Sequence, residues 1–298
     1  MFVCPATRTP LEDWYSNAAD VLYPLVQGIP VLVRDPHRFL RRHGPWNPAV
    51  GVAGQPQELL GVQSPDAVTP FLAPKGLQAS GSFGDWLLDV GQDGPDAWLS
   101  SQAREHAPVG PAVDIGCGLG PMAALMHGMG RHVVCLDRSP DTMLLCRELL
   151  TGRVTEALVP SHRRGCSMVA SPLTPGTSGY DFAIAEAQTP PLPKDSFAWA
   201  HLGFLIDGLD PEALIQALVS SIELLARGGV LTLSTAYDSP ASTPHLPDEA
   251  PPGPEMIEVL GELGLVVVAE RDKVPHVTRH YDRRFTVRLA HCLVLRRP

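Results

Sequence analysis

Short apolar runs alternate with longer stretches of helical period from Pro111 to the end of the chain. One of these stretches opens with Ser139 as a helix N-cap and Pro140 at the first helical position. The alternation predicts an α/β fold with right-handed crossovers, a mostly parallel sheet and helices on both faces. The predicted strands are 112–116, 132–137, 181–186, 197–205, 230–235, 265–270 and 285–295, and the predicted helices are 121–130, 139–150, 211–226 and 254–264.

Proline and glycine divide the chain into parts. The sequence holds 31 prolines and 27 glycines, and residues 44–81 are dense in both without a sustained period. Two further stretches of this kind, 160–180 and 238–254, are predicted as loops. The predicted parts are a small accessory module over 1–43, a linker with a helical cover over 44–108, and the α/β domain over 109–298.

Composition and charge exclude several classes of protein. The 298-residue chain is 44% apolar and 18% charged, which favours a folded protein with a substantial core. Its formal net charge of −9 disfavours nucleic acid as a partner, because an acidic surface repels a phosphate backbone. No apolar run has the length of a membrane span, and residues 1–10 do not have the pattern of a leader peptide. The six cysteines have no CxxC spacing. We therefore expect a cytoplasmic protein with free thiols and no membrane partner.

A glycine-rich turn, running DIGCGLG from Asp114 to Gly120, lies between a predicted strand and a predicted helix. Glycines at alternate positions allow positive φ and let the backbone lie against a ligand at the carboxyl end of the strand. Asp137 ends the next strand, 23 residues after Asp114, where an acidic side chain would meet the hydroxyls of a ribose. The turn lacks both the GxGxxG and the GxxxxGK[ST] pattern. These features predict a nucleotide-like ligand without a pyrophosphate.

The segments VDIGCGLG and VVCLDRSPDTM resemble motif I and its successor in the class I S-adenosylmethionine-dependent methyltransferases, over a region from about Pro111 to about Thr235. The resemblance implies a Rossmann-like sheet of seven strands, the last one antiparallel, and S-adenosylmethionine as cofactor. It also implies that Asp137 binds the ribose hydroxyls and that Arg138 flanks the adenine. The turn would then hold the methionine part and the ribose through Asp114, Gly116, Cys117, Gly118 and Gly120.

A later stretch carries the same resemblance. Glu186 and Ala187 match the acidic and small residues that meet the adenine in this family. Glu186 stands where aspartate is commoner, and it keeps a hydrogen-bond acceptor for the adenine amino group. The chain departs from the family pattern at Ala198, where an aspartate is usual, and at Arg227, which replaces a proline.

The first 43 residues resemble a different family, the small zinc-ribbon-like module that activates tRNA and protein methyltransferases. The likeness rests on Cys4-Pro5 and on the segment from Tyr23 to Leu32. The metal pattern is broken, because CPATRTPL supplies one cysteine where a CxxC pair is needed and the next cysteine is Cys117. Four tetrahedral ligands cannot be assembled, so no metal is predicted. The resemblance implies a metal-free remnant that packs on the catalytic domain or helps to close the substrate pocket.

Methyl transfer needs a nucleophile held in line with the methyl group, and often a base that takes its proton. Ligands bind at the carboxyl ends of the strands in such sheets, and the candidate catalytic residues there are His201, Asp207 and Tyr237. A lone histidine in an apolar strand is also typical of a buried core residue, and Asp207 is alternatively an N-cap for the helix that follows it. The candidate substrate residues are Phe83, Trp86, Asp238, His276, Arg279 and His280.

The last three of these residues lie in the segment HVTRHYDRRF. His276 and His280 are four apart but are not part of an HExxH pattern, which disfavours a metal site. Two interpretations stay open, namely a substrate-facing loop whose arginines hold a carboxylate and a solvated hairpin.

Together these patterns predict a cytoplasmic methyltransferase, a monomer or homodimer, that acts on an O, N or S atom of a small molecule or short peptide. Methylation of a protein or tRNA stays open, and a basic surface around 38–43 next to the pocket would favour it. A dinucleotide oxidoreductase is disfavoured by the glycine spacing. A non-catalytic partner that only binds S-adenosylmethionine would be favoured by a blocked pocket.

Overall fold

The computed structural model describes residues 2–43, 94–153, 156–162, 165–170, 176, 178–237, 252–281 and 284–298. The helices are α1 (Pro36–His43), α2 (Pro95–His106), α3 (Pro121–Gly128), α4 (Pro140–Leu150), α5 (Pro211–Leu224) and α6 (Pro252–Glu262). The strands are β1 (Tyr15–Ser16), β2 (Val21–Leu22), β3 (Leu25–Val26), β4 (Ile29–Pro30), β5 (Ala112–Ile115), β6 (Val133–Asp137), β7 (Glu156–His162), β8 (Gly165–Ala170), β9 (Tyr180–Ile184), β10 (Phe197–Gly203), β11 (Leu225–Thr235), β12 (Val266–Tyr281) and β13 (Arg284–Arg296). In this part of the chain no helix has both the length and the apolar character that crossing a membrane requires.

Seven strands form one sheet in the order β12-β13-β11-β10-β5-β6-β9. The neighbours from β11 to β9 are paired in parallel, whereas β13 is antiparallel to both β11 and β12. The predicted α/β fold, with seven strands and an antiparallel last strand, is therefore confirmed. The strand order reverses between β5 and β10, and this reversal opens a crevice at the carboxyl ends of the two strands.

Helices cover both faces of this sheet. All four residues of β5 are buried, as expected for a parallel strand covered on both sides. One core cluster joins the sheet to α2, α3 and α4 through side chains such as Leu99, Met126 and Leu150. A second cluster joins it to α5 and α6 through Leu218 and Leu260. The predicted placement of helices on both faces is confirmed.

The largest differences between the observed strands and the sequence prediction lie in two hairpins. The loop predicted over 160–180 is wrong in part, because β7 and β8 pair as an antiparallel hairpin that enters this stretch. The strand predicted over 265–270 continues to Tyr281, where it pairs with Arg284 of β13. In both places the strands are defined by backbone pairing in a hairpin, which joins residues that a local sequence pattern does not connect.

The N-terminal residues pack against the edge of the sheet. Val31 forms a parallel bridge with Ile184 of β9, and the Leu32 N–H donates to the Ile184 carbonyl at 2.8 Å. The Arg8 guanidinium donates to the carbonyl of Leu192 at 3.2 Å. These contacts cover an edge strand that would otherwise expose unpaired backbone groups. The N-terminal segment therefore lies beside the loop that follows β9, while its resemblance to a zinc-ribbon module stays a prediction.

Candidate active site

The glycine turn joins the end of β5 to the start of α3 at the reversal of strand order. Gly116, Gly118 and Gly120 have φ of +73°, +55° and +83°, a region that favours glycine over residues with a side chain. The N–H groups of Gly116 and Cys117 both donate to the carbonyl of Leu136 on β6, at 2.7 and 3.0 Å. The turn is thus fixed to the strand that carries Asp137.

The three glycines of the turn have different surroundings. A Cβ atom on Gly116 would lie 2.9 Å from Cδ1 of Leu205, and one on Gly120 would lie 2.8 Å from Cδ1 of Leu150. A Cβ on Gly118 would meet no atom within 4 Å. Gly116 and Gly120 are therefore needed for packing, whereas Gly118 faces open space in which a ligand can approach the backbone.

Asp137 is hydrogen-bonded to the turn. Its Oδ2 accepts from the Gly118 N–H at 3.1 Å and its Oδ1 accepts from the Ser139 N–H at 2.8 Å. A carboxylate oxygen can accept more than one hydrogen bond, so these two contacts are compatible with ribose hydroxyls as further donors. Arg138, the next residue, is exposed.

Two further carboxyl groups lie close to the turn. Asp114 is buried, and its Oδ2 accepts from the Ala123 N–H in the first turn of α3 at 3.1 Å. Burial raises the pKa of Asp114 well above its usual value, and the nearby charges of Asp96 and Asp137 raise it further. Burial also raises the pKa of Asp96, in the first turn of α2, to about 6. Three carboxyl groups therefore lie near the end of β5, and Asp96, whose pKa is about 6, is ionised at neutral pH and makes the crevice acidic.

Glu186 and Ala187 follow β9, and both are half-buried. The N–H of the preceding Ala185 donates to the Asp137 carbonyl at 3.0 Å, which places this loop next to the end of β6. Glu186 borders an open cavity of about 270 Å³ whose opposite wall comes from the N-terminal segment. The residues lining this cavity are Val33, Arg34, Asp35, Arg38, Phe39, Arg42 and Glu186.

His201 lies in the interior of the sheet, opposite Asp114 on β5 and Thr232 on β11. It is 2% exposed, and its Nδ1 lies 2.9 Å from the Thr232 hydroxyl, which also accepts from the Trp199 indole N–H at 2.8 Å. Burial lowers the pKa of His201 to about 3. This placement is that of a core histidine and disfavours the predicted catalytic role.

Asp207 follows β10 and holds the end of β11 in place. Its carboxylate accepts from the N–H groups of Ala236 and Tyr237, at 3.0 and 3.1 Å, and from the Thr235 hydroxyl. The alternative prediction that Asp207 caps α5 is wrong, because Asp210 is the N-cap and accepts from the Ala213 N–H at 2.9 Å. Asp207 therefore positions Tyr237.

Tyr237 is the first member of a hydrogen-bonded chain that the sequence analysis did not find. Its hydroxyl lies 2.6 Å from Nδ1 of His291, and Nε2 of His291 lies 2.9 Å from Oε1 of Glu270. The carboxylate accepts from Nε2–H, which leaves Nδ1 to accept from the tyrosine hydroxyl. Burial, followed by the charges of Asp272, Asp207 and Glu270, raises the pKa of Tyr237, so the phenol stays protonated.

The backbone of Tyr237 supports a special role for this residue. Its φ of +56° lies in the left-handed region, which a bulky residue adopts only when its surroundings enforce it. Tyr237 is half-buried at the carboxyl end of β11, and His291 is 3% exposed. The hydrogen-bonded chain thus connects the edge of the sheet where ligands bind in such folds to His291, a buried proton acceptor.

The other predicted substrate residues are only partly described. Phe83, Trp86 and Asp238 lie outside the described residues. Arg279 and His280 belong to β12, but their side chains lie outside the described part. The ring of His276 lies 4.5 Å from that of Phe204, measured between centroids, at the carboxyl end of β10.

Comparisons with known proteins give likenesses to solved structures. No family model matches the chain, and no curated protein matches it. An S-adenosylmethionine-dependent methyltransferase from Methanosarcina mazei is 15% identical, with 66% of this chain and 96% of that chain covered and a TM-score of 0.49. The magnesium protoporphyrin IX methyltransferase of Synechocystis with bound S-adenosylhomocysteine is 14% identical, covering 77% and 95%, with a TM-score of 0.49. A chain from the complex of the Haloferax volcanii Trm112 methyltransferase activator with a methyltransferase is 16% identical, covering 72% and 96%, with a TM-score of 0.45.

Proposed function

We propose that this chain is a methyltransferase that binds S-adenosylmethionine at the end of β5 and transfers its methyl group to a small molecule or short peptide. The observation that carries the proposal is the open space at Gly118, whose N–H is bonded to the carboxylate of Asp137. Bare backbone next to a carboxylate, at the reversal of a parallel sheet, suits a nucleoside.

The charges around the turn fit this cofactor better than a dinucleotide. Asp96, Asp114 and Asp137 lie close enough for their charges to interact. Such a crevice attracts the sulfonium and ammonium charges of S-adenosylmethionine and repels a diphosphate. In the proposed complex Asp137 accepts from the ribose hydroxyls, and Glu186 accepts from the adenine amino group.

The cofactor, when bound, supplies a methyl group activated by the positive sulfur. The protein then has to hold an acceptor in line and take its proton. In our proposal the acceptor's proton passes to the hydroxyl of Tyr237 while Tyr237 donates its own proton to Nδ1 of His291. Glu270 stabilises the resulting imidazolium. Asp207 contributes by fixing the backbone of Tyr237.

Methylation of a larger anionic acceptor, a protein or tRNA, is the second candidate. The observation that favours it is a set of three exposed arginines, Arg34, Arg38 and Arg42. They line the same cavity as Glu186. The small-molecule proposal is preferred because the overall net charge of −9 opposes docking of a polyanion. Cytoplasmic location and a monomeric or homodimeric state stay predictions.

A mass-shift screen tests the transfer of a methyl group. Purified protein is incubated with S-adenosylmethionine and panels of metabolites, short peptides and tRNA, with Asp137→Asn as the matched control. We expect the addition of one methyl group to one class of acceptor by the wild type, together with release of S-adenosylhomocysteine. Methylation of tRNA or protein alone would favour the second candidate. Binding of the cofactor without any transfer would favour the non-catalytic alternative.

The acidity of the crevice predicts a dependence of cofactor binding on pH. The carboxyl group of Asp96, with its pKa of about 6, is ionised above that pH and neutral below it. Lowering the pH from about 7.5 to about 5 should therefore weaken the binding of S-adenosylmethionine more than the binding of S-adenosylhomocysteine, which lacks the sulfonium charge. We expect their affinity ratio to fall about tenfold, or about 1.4 kcal/mol, in calorimetric titrations.

Two variants serve as controls for this effect. Asp96→Asn should flatten the pH dependence of the ratio, whereas Asp141→Asn, an exposed aspartate in the first turn of α4, should leave it unchanged. An affinity ratio that is the same at both pH values would contradict an acidic binding crevice.

A further inference from the structure

Three cysteine sulfurs meet beside the glycine turn. Cys117 lies in the turn, Cys135 on β6 and Cys146 on α4, and all three are buried. Their Sγ atoms lie within 4.8 Å of one another, and the distance from Cys117 to Cys146 is 3.9 Å. Among the residues that the structure describes, no histidine, aspartate or glutamate joins this group. The cluster takes no part in the proposed methyl transfer.

The separations match a metal site with three sulfur ligands. With a metal–thiolate bond of about 2.3 Å, an ion in the plane of three sulfurs sets them about 4.0 Å apart. The sulfurs of Cys117 and Cys146 are already at this distance, and closing the other gaps takes less than about 1 Å. A disulfide needs sulfurs about 2.05 Å apart, so the same pair would have to approach by almost 2 Å. The geometry favours a shared ion over a disulfide.

The ligand set selects the kind of ion. Thiolates prefer soft cations, chiefly Cu(I) and Zn(II). Structural zinc is almost always bound by four ligands. A fourth group has little room here, since even a Cβ on Gly120 would lie 2.9 Å from the sulfur of Cys146.

We propose that Cys117, Cys135 and Cys146 form a binding site for one Cu(I) ion. The ion binds between the glycine turn, β6 and α4, and so ties together three elements at the end of the sheet. Copper and sulfur keep their oxidation states in this step, because each Cu–S bond to a thiolate replaces an S–H bond and the proton passes to solvent. Affinity therefore rises with pH.

Titration of the full, reduced chain with Cu(I) tests the site directly. The measurement is made without oxygen in competition with bathocuproine disulfonate. The reference variant replaces the other three cysteines, Cys4, Cys166 and Cys292, by alanine and so keeps only the cluster. We expect this variant to retain one Cu(I) per chain, and X-ray absorption to report three sulfur neighbours at about 2.3 Å.

Single replacements in the reference variant then identify the ligands. Cys135→Ala and Cys146→Ala are each expected to weaken Cu(I) binding at least about tenfold, because two sulfurs remain where three are needed. Circular dichroism of each variant shows whether it is folded at the assay temperature. If one of the two replacements prevents folding, the Cu(I) affinity of the other variant tests the proposal. Loss of all copper to the competitor by the reference variant, or equal retention by a folded replacement variant, would overturn the proposal.

Discussion

Gly118→Ala is expected to bind S-adenosylhomocysteine about 5 to 150 times more weakly than the wild type, because the new methyl group occupies space proposed for the ligand. Crowding of a packed site costs about 1–3 kcal/mol. In the free protein nothing within 4 Å opposes this methyl group, so the loss would come from the ligand. Isothermal titration calorimetry measures the two affinities.

Gly130→Ala is the matched control for this substitution. Gly130 has φ of +79°, close to the left-handed conformation of Gly118, and its added Cβ also meets no atom within 4 Å. It lies just beyond α3, at the opposite end of that helix from the turn. Both variants should lose about 1–2 kcal/mol of folding free energy through backbone strain, measured by denaturant unfolding. Equal affinities of the two variants for S-adenosylhomocysteine would remove Gly118 from the site.

Asp137→Asn is expected to weaken the binding of S-adenosylhomocysteine by about 1–3 kcal/mol, or about 5- to 150-fold in affinity, through loss of charge-assisted hydrogen bonds to the ribose. The amide keeps the size of the side chain and one oxygen that can accept from the Gly118 N–H, which limits damage to the turn. The same calorimetric titration measures the loss.

A second aspartate provides the control for Asp137. Asp181→Asn changes a half-buried carboxylate on β9 whose partner is His132, at 2.9 Å, near the amino end of the sheet. It should bind the ligand as the wild type does. If Asp137→Asn and Asp181→Asn had the same affinity as the wild type, the ribose contact proposed for Asp137 would be wrong.

Local sequence patterns predicted the central part of the fold well. The apolar run at 112–116 and the Ser139-Pro140 helix start are local signals, and both correspond to observed elements. The side chain of Ser139 accepts from the Thr142 N–H at 3.3 Å, as an N-cap does. The glycine turn was equally predictable, because glycines at alternate positions after an apolar strand indicate backbone with positive φ.

Side-chain contacts between residues that are far apart in the sequence could not be predicted from local patterns. Glu270 and His291 are 21 residues apart and 33 and 54 residues from Tyr237, and they meet it because β13 lies between β11 and β12. A polar His291 in an apolar predicted strand was the available signal. The sequence analysis missed Asp96 because its effect arises from a charge interaction with Asp114, a residue 18 positions away that no local pattern connects to it. The burial of His201 likewise depends on neighbours on both adjacent strands.

A crystal structure of the chain with S-adenosylhomocysteine tests the central claim most directly. The account predicts that the ribose hydroxyls lie within about 2.5–3.2 Å of the Asp137 carboxylate and that the ligand passes over the open face of Gly118. Density for the ligand anywhere else, or a crevice at Gly118 that stays empty at saturating ligand, would contradict it.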